Sequence, residues 1–209
     1  ATSNETATID ISGVSGGSAT EDGTQNVTIT ITDDDSAPTV TLSRSAATID
    51  EDSSSTVTIT ATLSVATFQD VTVSIDGTGG TGTEGTDFGT VSDITISAGA
   101  TTGTAAVDPT DDSVYEGNET AVISISGVSG GGASESGSQS VTVTITENES
   151  APTVTLTVSA TSIAENAGTS LTITATLSST SDEDVTVALS TSGTATEGTD
   201  YTDGSGAID

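Results

Sequence analysis

Three consecutive carboxylates, Asp33, Asp34 and Asp35, separate two stretches that read as β-strands in "ITDDDSAPTVTLS", residues 31–43. Adjacent carboxylates repel one another, so such a run either lies in open solvent or holds a cation. Carboxylate oxygens on flexible loops are the usual ligands of Ca²⁺, which takes about six to eight oxygens. The run therefore predicts either a solvated acidic rim or part of a calcium site.

The acidic residues of the segment 37–150 also collect at the ends of predicted strands rather than along them. If these strands form an up-and-down sandwich, several of their ends lie at one pole, where the carboxylates converge. Such a pole favours Ca²⁺ over Mg²⁺, which takes fewer protein ligands in stricter octahedral geometry. A solvated rim that keeps the protein soluble is the alternative. The residues concerned are Glu51, Asp87, Asp111, Asp112, Glu116, Glu119, Glu147 and Glu149.

The overall charge limits the partners that the protein can have. The chain has 209 residues, with 31 acidic side chains, one basic side chain, Arg44, and a formal net charge of −30. Nucleic acids and anionic membrane surfaces would repel such a chain, so we expect neither as a partner. No apolar run is long enough to span a bilayer, so we expect no membrane insertion.

The composition also argues against catalysis. Histidine and cysteine are absent, which removes the usual ligands of zinc, haem and iron–sulfur clusters and the base of a Ser-His-Asp triad. Paired carboxylates could hydrolyse glycosides, but that needs a substrate cleft. Two Phe, two Tyr and no Trp cannot readily build aromatic walls for one. We expect that the protein is not an enzyme.

Internal repetition is the strongest signal in the sequence. "ETATIDISGVSGGSATEDGTQNVTITITDDDSAPTVTLS" begins at Glu5 and returns as "ETAVISISGVSGGGASESGSQSVTVTITENESAPTVTLT" from Glu119, 114 residues later. The predicted division is the C-terminal part of a repeat (1–36), a complete repeat (37–150) and the N-terminal part of a further repeat (151–209). Either the polypeptide continues at both ends, which we favour, or neighbouring copies complete the partial repeats.

The complete repeat predicts an all-β fold. Val57, Ile59, Ala61 and Leu63 alternate with threonines, as in a strand with one buried face. Further strands are expected near 40–42, 71–75, after Phe88, and near 94–96, 102–107, 121–125 and 141–145. Short strands separated by Gly, Ser and Asp indicate tandem immunoglobulin-like antiparallel β-sandwiches of about 114 residues per repeat.

The ordered set "EDSSSTVTITATLS", "TEGTDF", "DDSVYEGNET" and "ITENESA" or "ITDDDSA" resembles the Calx-beta domain. The resemblance covers 37–150 and, by repeat equivalence, both flanking segments. It implies a calcium-binding immunoglobulin-like sandwich with ions at one tip, and the eight acidic residues of the complete repeat as ligands. In the flanking repeats it implies Glu5, Asp33, Asp34, Asp35, Glu165 and Asp200. The triplet of the complete repeat has Asn148 at its centre, which implies fewer or weaker ions there.

These observations favour a structural function. Repeated sandwiches joined at an acidic junction, with Pro38 restricting the hinge, are typical of a calcium-stiffened stalk of a secreted or cell-surface adhesin or of an extracellular filament. The partners would be calcium ions and neighbouring repeats of the same protein. One alternative is a regulatory calcium sensor. Another is a filament subunit, a homopolymer that assembles by strand exchange between partial repeats.

Overall fold

The computed structural model describes residues 4–202, 204 and 207–208. Within this part of the chain, no helix has the length and apolar character that crossing a membrane requires. The regular elements are strands: β1 (Glu5–Asp10), β2 (Asn26–Ile31), β3 (Thr39–Arg44), β4 (Thr48–Asp50), β5 (Val57–Leu63), β6 (Val71–Gly80), β7 (Ile94–Ile96), β8 (Thr102–Val107), β9 (Glu119–Ser129), β10 (Ser134–Glu135), β11 (Ser140–Thr146), β12 (Val154–Val158), β13 (Ile173–Leu177), β14 (Val187–Ala188) and β15 (Ala207–Ile208).

Strands β3 to β11 form a sandwich of two sheets, ordered β10–β3–β5–β8 and β4–β11–β9–β6–β7. In β5, Val57, Ile59, Ala61 and Leu63 are buried while the threonines between them are half-buried, as period-2 geometry requires. Each large apolar side chain buried in this way stabilises the fold by about 1.5–3 kcal/mol. Phe88, on the loop after β6, is fully buried in the same core. The all-β, immunoglobulin-like sandwich is confirmed.

The topology differs from the expected up-and-down order. β4 pairs with β11, and β10 with β3, in parallel, whereas the other neighbours in the two sheets are antiparallel. The chain passes from one sheet to the other after β3 and again after β4. This crossing places β4 beside the end of β11, where it covers part of one edge of the second sheet that could otherwise pair with another chain. The prediction of a strand after Phe88 is wrong, because residues 89–93 form no regular secondary structure.

The flanking segments form separate two-stranded sheets: β1 with β2, β12 with β13, and β14 with β15. Their apolar faces are more exposed than the equivalent faces of the complete repeat. Ile29 is 49% exposed, whereas its repeat equivalent Val143 is fully buried, and Val154 is 40% exposed, whereas its equivalent Val40 is fully buried. The division of the chain into 1–36, 37–150 and 151–209 stays a prediction.

Candidate metal centre

The register of the second sheet brings several strand ends to one pole of the sandwich. β4 and β11 run in parallel and end together, with Asp50 opposite Thr146. β9 is antiparallel to β11, so it begins where β11 ends, with Glu119 opposite Ile145. β6 ends at the same level, because Gly80 lies opposite Ala121. The residues just beyond these ends are therefore neighbours in space although they are far apart in sequence.

The end of β6 reaches this pole through a close approach that needs glycine. Gly80 has a φ of +107°, a conformation that side-chain-bearing residues rarely adopt. A Cβ at this position would lie 2.1 Å from the backbone oxygen of Thr120. The "TGGTGTEGTD" stretch is thus folded tightly against the start of β9, and this positions Asp87 beside Glu119.

Seven carboxylates gather at the pole in three overlapping groups of three. Within each group, one oxygen atom of each residue lies within 4.8 Å of the others. Glu51 belongs to two of the groups, and Glu116 links one of these to the third. We refer to the set as the acidic pole. Its members are Glu51, Asp87, Asp112, Glu116, Glu119, Glu147 and Glu149.

Backbone N–H groups hold Glu147 in its place. Its Oε2 accepts hydrogen bonds from Glu116 N at 2.6 Å and Gly117 N at 2.8 Å, and its Oε1 accepts one from Glu149 N at 2.9 Å. Burial by itself would raise the pKa of Glu147, but these donors outweigh burial and lower the pKa to about 2. Glu147 is therefore charged at neutral pH and is held toward the other acids.

The neighbouring carboxyls are destabilised in their charged form. Burial, followed by the charges of Glu147 and Glu149, raises the pKa of Glu51 to about 7. Burial and then the charge of Asp87 raise the pKa of Glu119 to about 7. Burial is also the largest cause of the raised pKa of Glu116. Without a counter-ion, these carboxylates repel one another in a partly desolvated site.

The acidic pole has the features expected of a cation site. Glu51 is only 6% exposed, and the Oε2 atom of Glu149 is buried without a hydrogen-bond partner. The only basic side chain of the protein, that of Arg44, is exposed and cannot neutralise seven carboxylates. The donor set is entirely oxygen, the ligand type that Ca²⁺ takes. The residues therefore fit a bound Ca²⁺.

Asp111, the remaining acidic residue predicted for the complete repeat, lies beside the acidic pole rather than within its three groups. Its Oδ1 accepts a hydrogen bond at 3.2 Å from the side chain of Asn148. Its charge is also one of the causes of the raised pKa of Glu149, after the side chain of Glu147 and burial. Asp111 thus affects the site through its neighbours.

The predicted ligands of the flanking repeats are placed differently. Asp33, Asp34 and Asp35 lie within 4.8 Å of one another as a group of their own. Glu5, Glu165 and Asp200 are exposed, and among the described residues none of the three joins a group of acids that could share a cation. The metal-binding role of all the predicted ligands stays a prediction.

Asp182 is a neighbouring carboxylate that the sequence analysis missed. It belongs to the further repeat, yet its backbone N–H donates to Tyr115 O at 3.1 Å. Its charge also contributes to the raised pKa of Glu116. The acidic run "SDEDV" was the available signal, but it falls at a position where the complete repeat has Phe68, so the repeat pattern does not mark it.

Comparison with known proteins identifies the family. A family model described as the Calx-beta domain matches residues 33–149 and again residues 147–209. The chain belongs to the Calx-beta family. Calx-beta is not a catalytic family, which agrees with the absence of histidine and cysteine.

Solved Calx structures are similar to this Calx-beta chain. The crystal structure of the apo-form Calx CBD1 domain is 19% identical, with a TM-score of 0.44, over 54% of this chain and 99% of that one. The crystal structure of CBD12 from CALX1.2 is 20% identical, with a TM-score of 0.43, over 51% of this chain and 43% of that one. None of the curated proteins compared with the chain matches it significantly.

Proposed function

We propose that this protein binds Ca²⁺ at the acidic pole and serves as a calcium-stiffened structural module. Calx-beta domains of homologous proteins bind Ca²⁺. The observation that carries the proposal is the convergence of seven carboxylates from separate loops on one pole. A divalent cation there would offset their repulsion and would join loops that the backbone connects only at a distance.

The acidic pole would lie close to the start of the next repeat, because Glu149 is followed within a few residues by Pro152 and β12. Ions at this junction would restrict the hinge between consecutive repeats. A row of such repeats would form a stiff stalk, and we propose that it belongs to a secreted or cell-surface adhesin or to an extracellular filament. The absence of histidine and cysteine and the proposed spacer role are consistent with a protein that is not an enzyme.

The first test is the effect of Ca²⁺ on melting. A ligand at about five to ten times its dissociation constant stabilises the folded state by about 1.1–1.4 kcal/mol per site. The melting temperature of the chain should therefore be clearly higher in several millimolar Ca²⁺ than in excess chelator. Glu51→Gln should reduce the increase, while Glu165→Gln, at the equivalent position of the further repeat, should leave it intact. An equal melting temperature with and without Ca²⁺ contradicts the proposal.

Isothermal titration distinguishes the structural role from a sensor. Extracellular calcium modules bind at roughly 10⁻⁴–10⁻³ M, whereas cytosolic sensors bind more tightly, at roughly 10⁻⁷–10⁻⁵ M. We expect an affinity in the millimolar range. Sub-micromolar binding would favour a regulatory calcium sensor instead.

The exposed apolar faces favour a second candidate, assembly by strand exchange. Val27 in β2 is 64% exposed and Leu156 in β12 is 54% exposed, and such faces are buried when a sandwich is complete. Residues 1–36 of one molecule could cover residues 151–209 of its neighbour and so build a homopolymer. Analytical ultracentrifugation should then show association that grows with protein concentration, and a constant monomer mass would exclude it.

A further inference from the structure

The turn that follows β1 has the same backbone conformation as a turn that makes a close contact in the complete repeat. Gly130, directly after β9, has a φ of +90°, and a Cβ there would lie 2.2 Å from Asp70 O, just before β6. Its repeat equivalent, Gly16, has a φ of +89°. In the described part of the chain, however, nothing except its two sequence neighbours lies within 4 Å of the position of its Cβ. The turn after β1 therefore has the shape that the contact requires, without the neighbouring strand.

β1 is also shorter than its equivalent in the complete repeat. β9 extends over residues 119–129, whereas β1 ends at Asp10, the equivalent of Ser124. The last residues of β9 pair with β6, where Ile125 lies opposite Ile75 and Val128 opposite Val73. The equivalent segment, 11–15, has no regular secondary structure, and within the described residues the sheet of β1 contains only β2. The edge of β1 that corresponds to the β6 side of β9 is thus open.

A matching edge lies in the further repeat. β14 (Val187–Ala188) is the repeat equivalent of Val73 and Ser74 in β6. β6 lies between β7 and β9, whereas β14 pairs only with β15 in the described part of the chain. An unpaired strand edge is a template for pairing with another chain. Each molecule therefore carries both edges of a pair that the complete repeat shows closed.

The two open edges are attached to opposite poles of the complete sandwich. The chain enters the sandwich at Pro38, whose carbonyl accepts a hydrogen bond from Ser134 N, beyond the end of β9. It leaves after Thr146, at the acidic pole, where β9 begins. The eleven residues of β9 span about 35 Å between these poles. This separation favours a second copy of the chain, rather than the same molecule, as the source of the matching edge.

We propose that residues 11–15 of one molecule pair in antiparallel orientation with residues 185–189 of a second copy. The register of β9 and β6 places Val14 opposite Val187 and Ile11 opposite Leu189, and it places Gly16 against the backbone of Asp184. The inference rests on the strand-exchange candidate described above and deepens it, because it names the two edges, their register and the glycine that permits their approach.

The pairing would bury apolar side chains that are exposed in the single molecule. Ile9 is 60% exposed and Ile173 is 51% exposed, whereas their repeat equivalents, Ile123 and Ile59, are fully buried. By repeat equivalence, residues 5–36 correspond to 119–150, and residues 151–209 correspond to 37–96. The remaining part, 97–118, contains β8, which is an edge strand of the first sheet. Two segments that are marginally stable as isolated hairpins would thus form most of a sandwich.

Disulfide trapping between two batches of the full chain tests the partner and the register. The protein has no cysteine, so one batch carries Val14→Cys, and a second, ¹⁵N-labelled batch carries Val187→Cys. Opposite residues of antiparallel strands have Cα atoms about 4.5–5.5 Å apart, which a disulfide can span. After mild oxidation of the mixture, mass spectrometry should find the mixed disulfide as the main product. Thr28→Cys, on the exposed strand β2, replaces Val14→Cys as the control and should give several-fold less.

A matched pair of glycine variants tests the close approach. Gly16→Ala adds a Cβ where the proposed partner backbone would lie, so it should weaken association at least about tenfold. Gly23→Ala is the control. Gly23 also has a positive φ, +69°, but neither it nor its equivalent Gly137 has a neighbour within 4 Å of the Cβ position in the described part of the chain. Sedimentation velocity measures the association in about 0.15 M salt, which screens the repulsion between two chains of charge −30.

The outcomes separate this pairing from strand exchange in general. The proposal is supported if the mixed disulfide predominates and only Gly16→Ala weakens association. It is overturned if the parent associates but the mixed disulfide does not exceed the control, or if Gly16→Ala and Gly23→Ala associate equally well; strand exchange in another register would then remain. A disulfide within a monomer of the double variant Val14→Cys/Val187→Cys overturns the choice of a second copy. A parent that stays monomeric refutes both the pairing and strand exchange.

Discussion

Two equivalent acidic triplets, Asp33–Asp35 and Glu147–Glu149, have almost the same local conformation. Asn4 Oδ1 accepts from Asp33 N at 2.8 Å, and Asn118 Oδ1 accepts from Glu147 N at 3.0 Å. The first carboxylate of each triplet accepts a hydrogen bond from the backbone N–H two residues later, at 3.1 and 2.9 Å. Each triplet thus has the same two backbone hydrogen bonds, one of them to an asparagine 29 residues earlier in the chain.

The surroundings of the two triplets are very different. Glu147 and Glu149 join Glu51 in one of the overlapping groups of the acidic pole. Among the residues that the structure describes, Asp33, Asp34 and Asp35 form an acidic group only with one another. A triplet therefore contributes only one side of the acidic pole, and the other carboxylates come from the residue after β4, from the loops before β7 and β9, and from the start of β9.

The largest expected effect that separates the two triplets is a pH dependence of stability without calcium. The folded-state pKa values of Glu51 and Glu119 are raised to about 7, so their protonated forms favour folding. This stability is complete below their unfolded pKa near 4.5 and is lost as the pH rises through 7. The raised pKa of Glu51 alone contributes on the order of 3 kcal/mol to the free energy of unfolding at low pH. The more exposed Glu119 contributes less. The pKa of Glu147 is lowered to about 2, so its charged form favours folding. The stability that Glu147 contributes is complete above pH 4.5 and is lost as the pH falls from about 4.5 through 2.

Thermal melting in chelator at pH 6, 7 and 8 measures this dependence. Ordinary exposed carboxyls titrate near pH 4, so a fall in melting temperature across this range reports the acidic pole. Saturating Ca²⁺ should stabilise the protein more at pH 8 than at pH 6, since it binds the deprotonated site. A melting temperature that is level from pH 6 to 8 would show that Glu51 and Glu119 are not perturbed.

Glu51→Gln is expected to stabilise the calcium-free protein while it weakens calcium binding. The substitution removes a buried charge that three neighbouring carboxylates oppose, which is worth on the order of 2 to 3 kcal/mol at pH 8. Glu165→Gln, at the exposed equivalent position, should change the melting temperature little. If both variants have the same melting temperature, the neighbouring carboxylates do not destabilise the charged form of Glu51.

An exchange of the central residues of the two triplets is expected to have a smaller effect. Asn148→Asp removes the hydrogen bond to Asp111 and places two exposed carboxylates side by side. Their repulsion should lower the free energy of unfolding in chelator by about 1 kcal/mol. The substitution should also tighten calcium binding, since it adds an oxygen ligand of negative charge. Asp34→Asn, the reverse change, should leave the calcium affinity of the acidic pole unaltered. Titration of both variants gives the comparison, and weaker binding by Asn148→Asp would contradict it.

The smallest expected effect concerns the asparagines beside the triplets. Asn118→Ala removes the acceptor for Glu147 N, and a hydrogen bond of this kind contributes about 0.5–1.5 kcal/mol. Asn4→Ala removes the equivalent bond to Asp33 N but should leave the melting of the complete repeat unchanged. Urea unfolding of both variants measures the difference. Equal losses would mean that the two triplets support the same folded unit.

Much of the fold follows from local patterns in the sequence. The alternation of Val57 to Leu63 with threonines predicts β5 with its correct bounds and its buried face. β4 is not predicted, because three residues at 48–50 carry no periodic signal. It forms because parallel pairing with the end of β11 satisfies its backbone groups. The position of Glu51 at the acidic pole depends on that pairing.

The candidate site was predictable in composition but not in extent. Acidic residues at strand ends predict a carboxylate-rich pole, and seven of the eight residues named for the complete repeat lie within its groups. The separate position of Asp111 and the approach of Asp182 from the further repeat depend on side-chain and backbone contacts between loops. Contacts of this kind have no period and leave no mark in one sequence.

The amino-acid sequence sets the chemical character of this protein: many carboxylates, a large negative charge, strands with one apolar face and a recurring pattern of 114 residues. Which carboxylates lie together depends on the packing of the two sheets. Glu51 and Glu165 occupy equivalent positions in their repeats, yet one is buried among acids and the other is exposed. The physical reason is that a shared site requires the ends of β4, β6, β9 and β11 to lie together, and strand register across the packed sheets sets that arrangement.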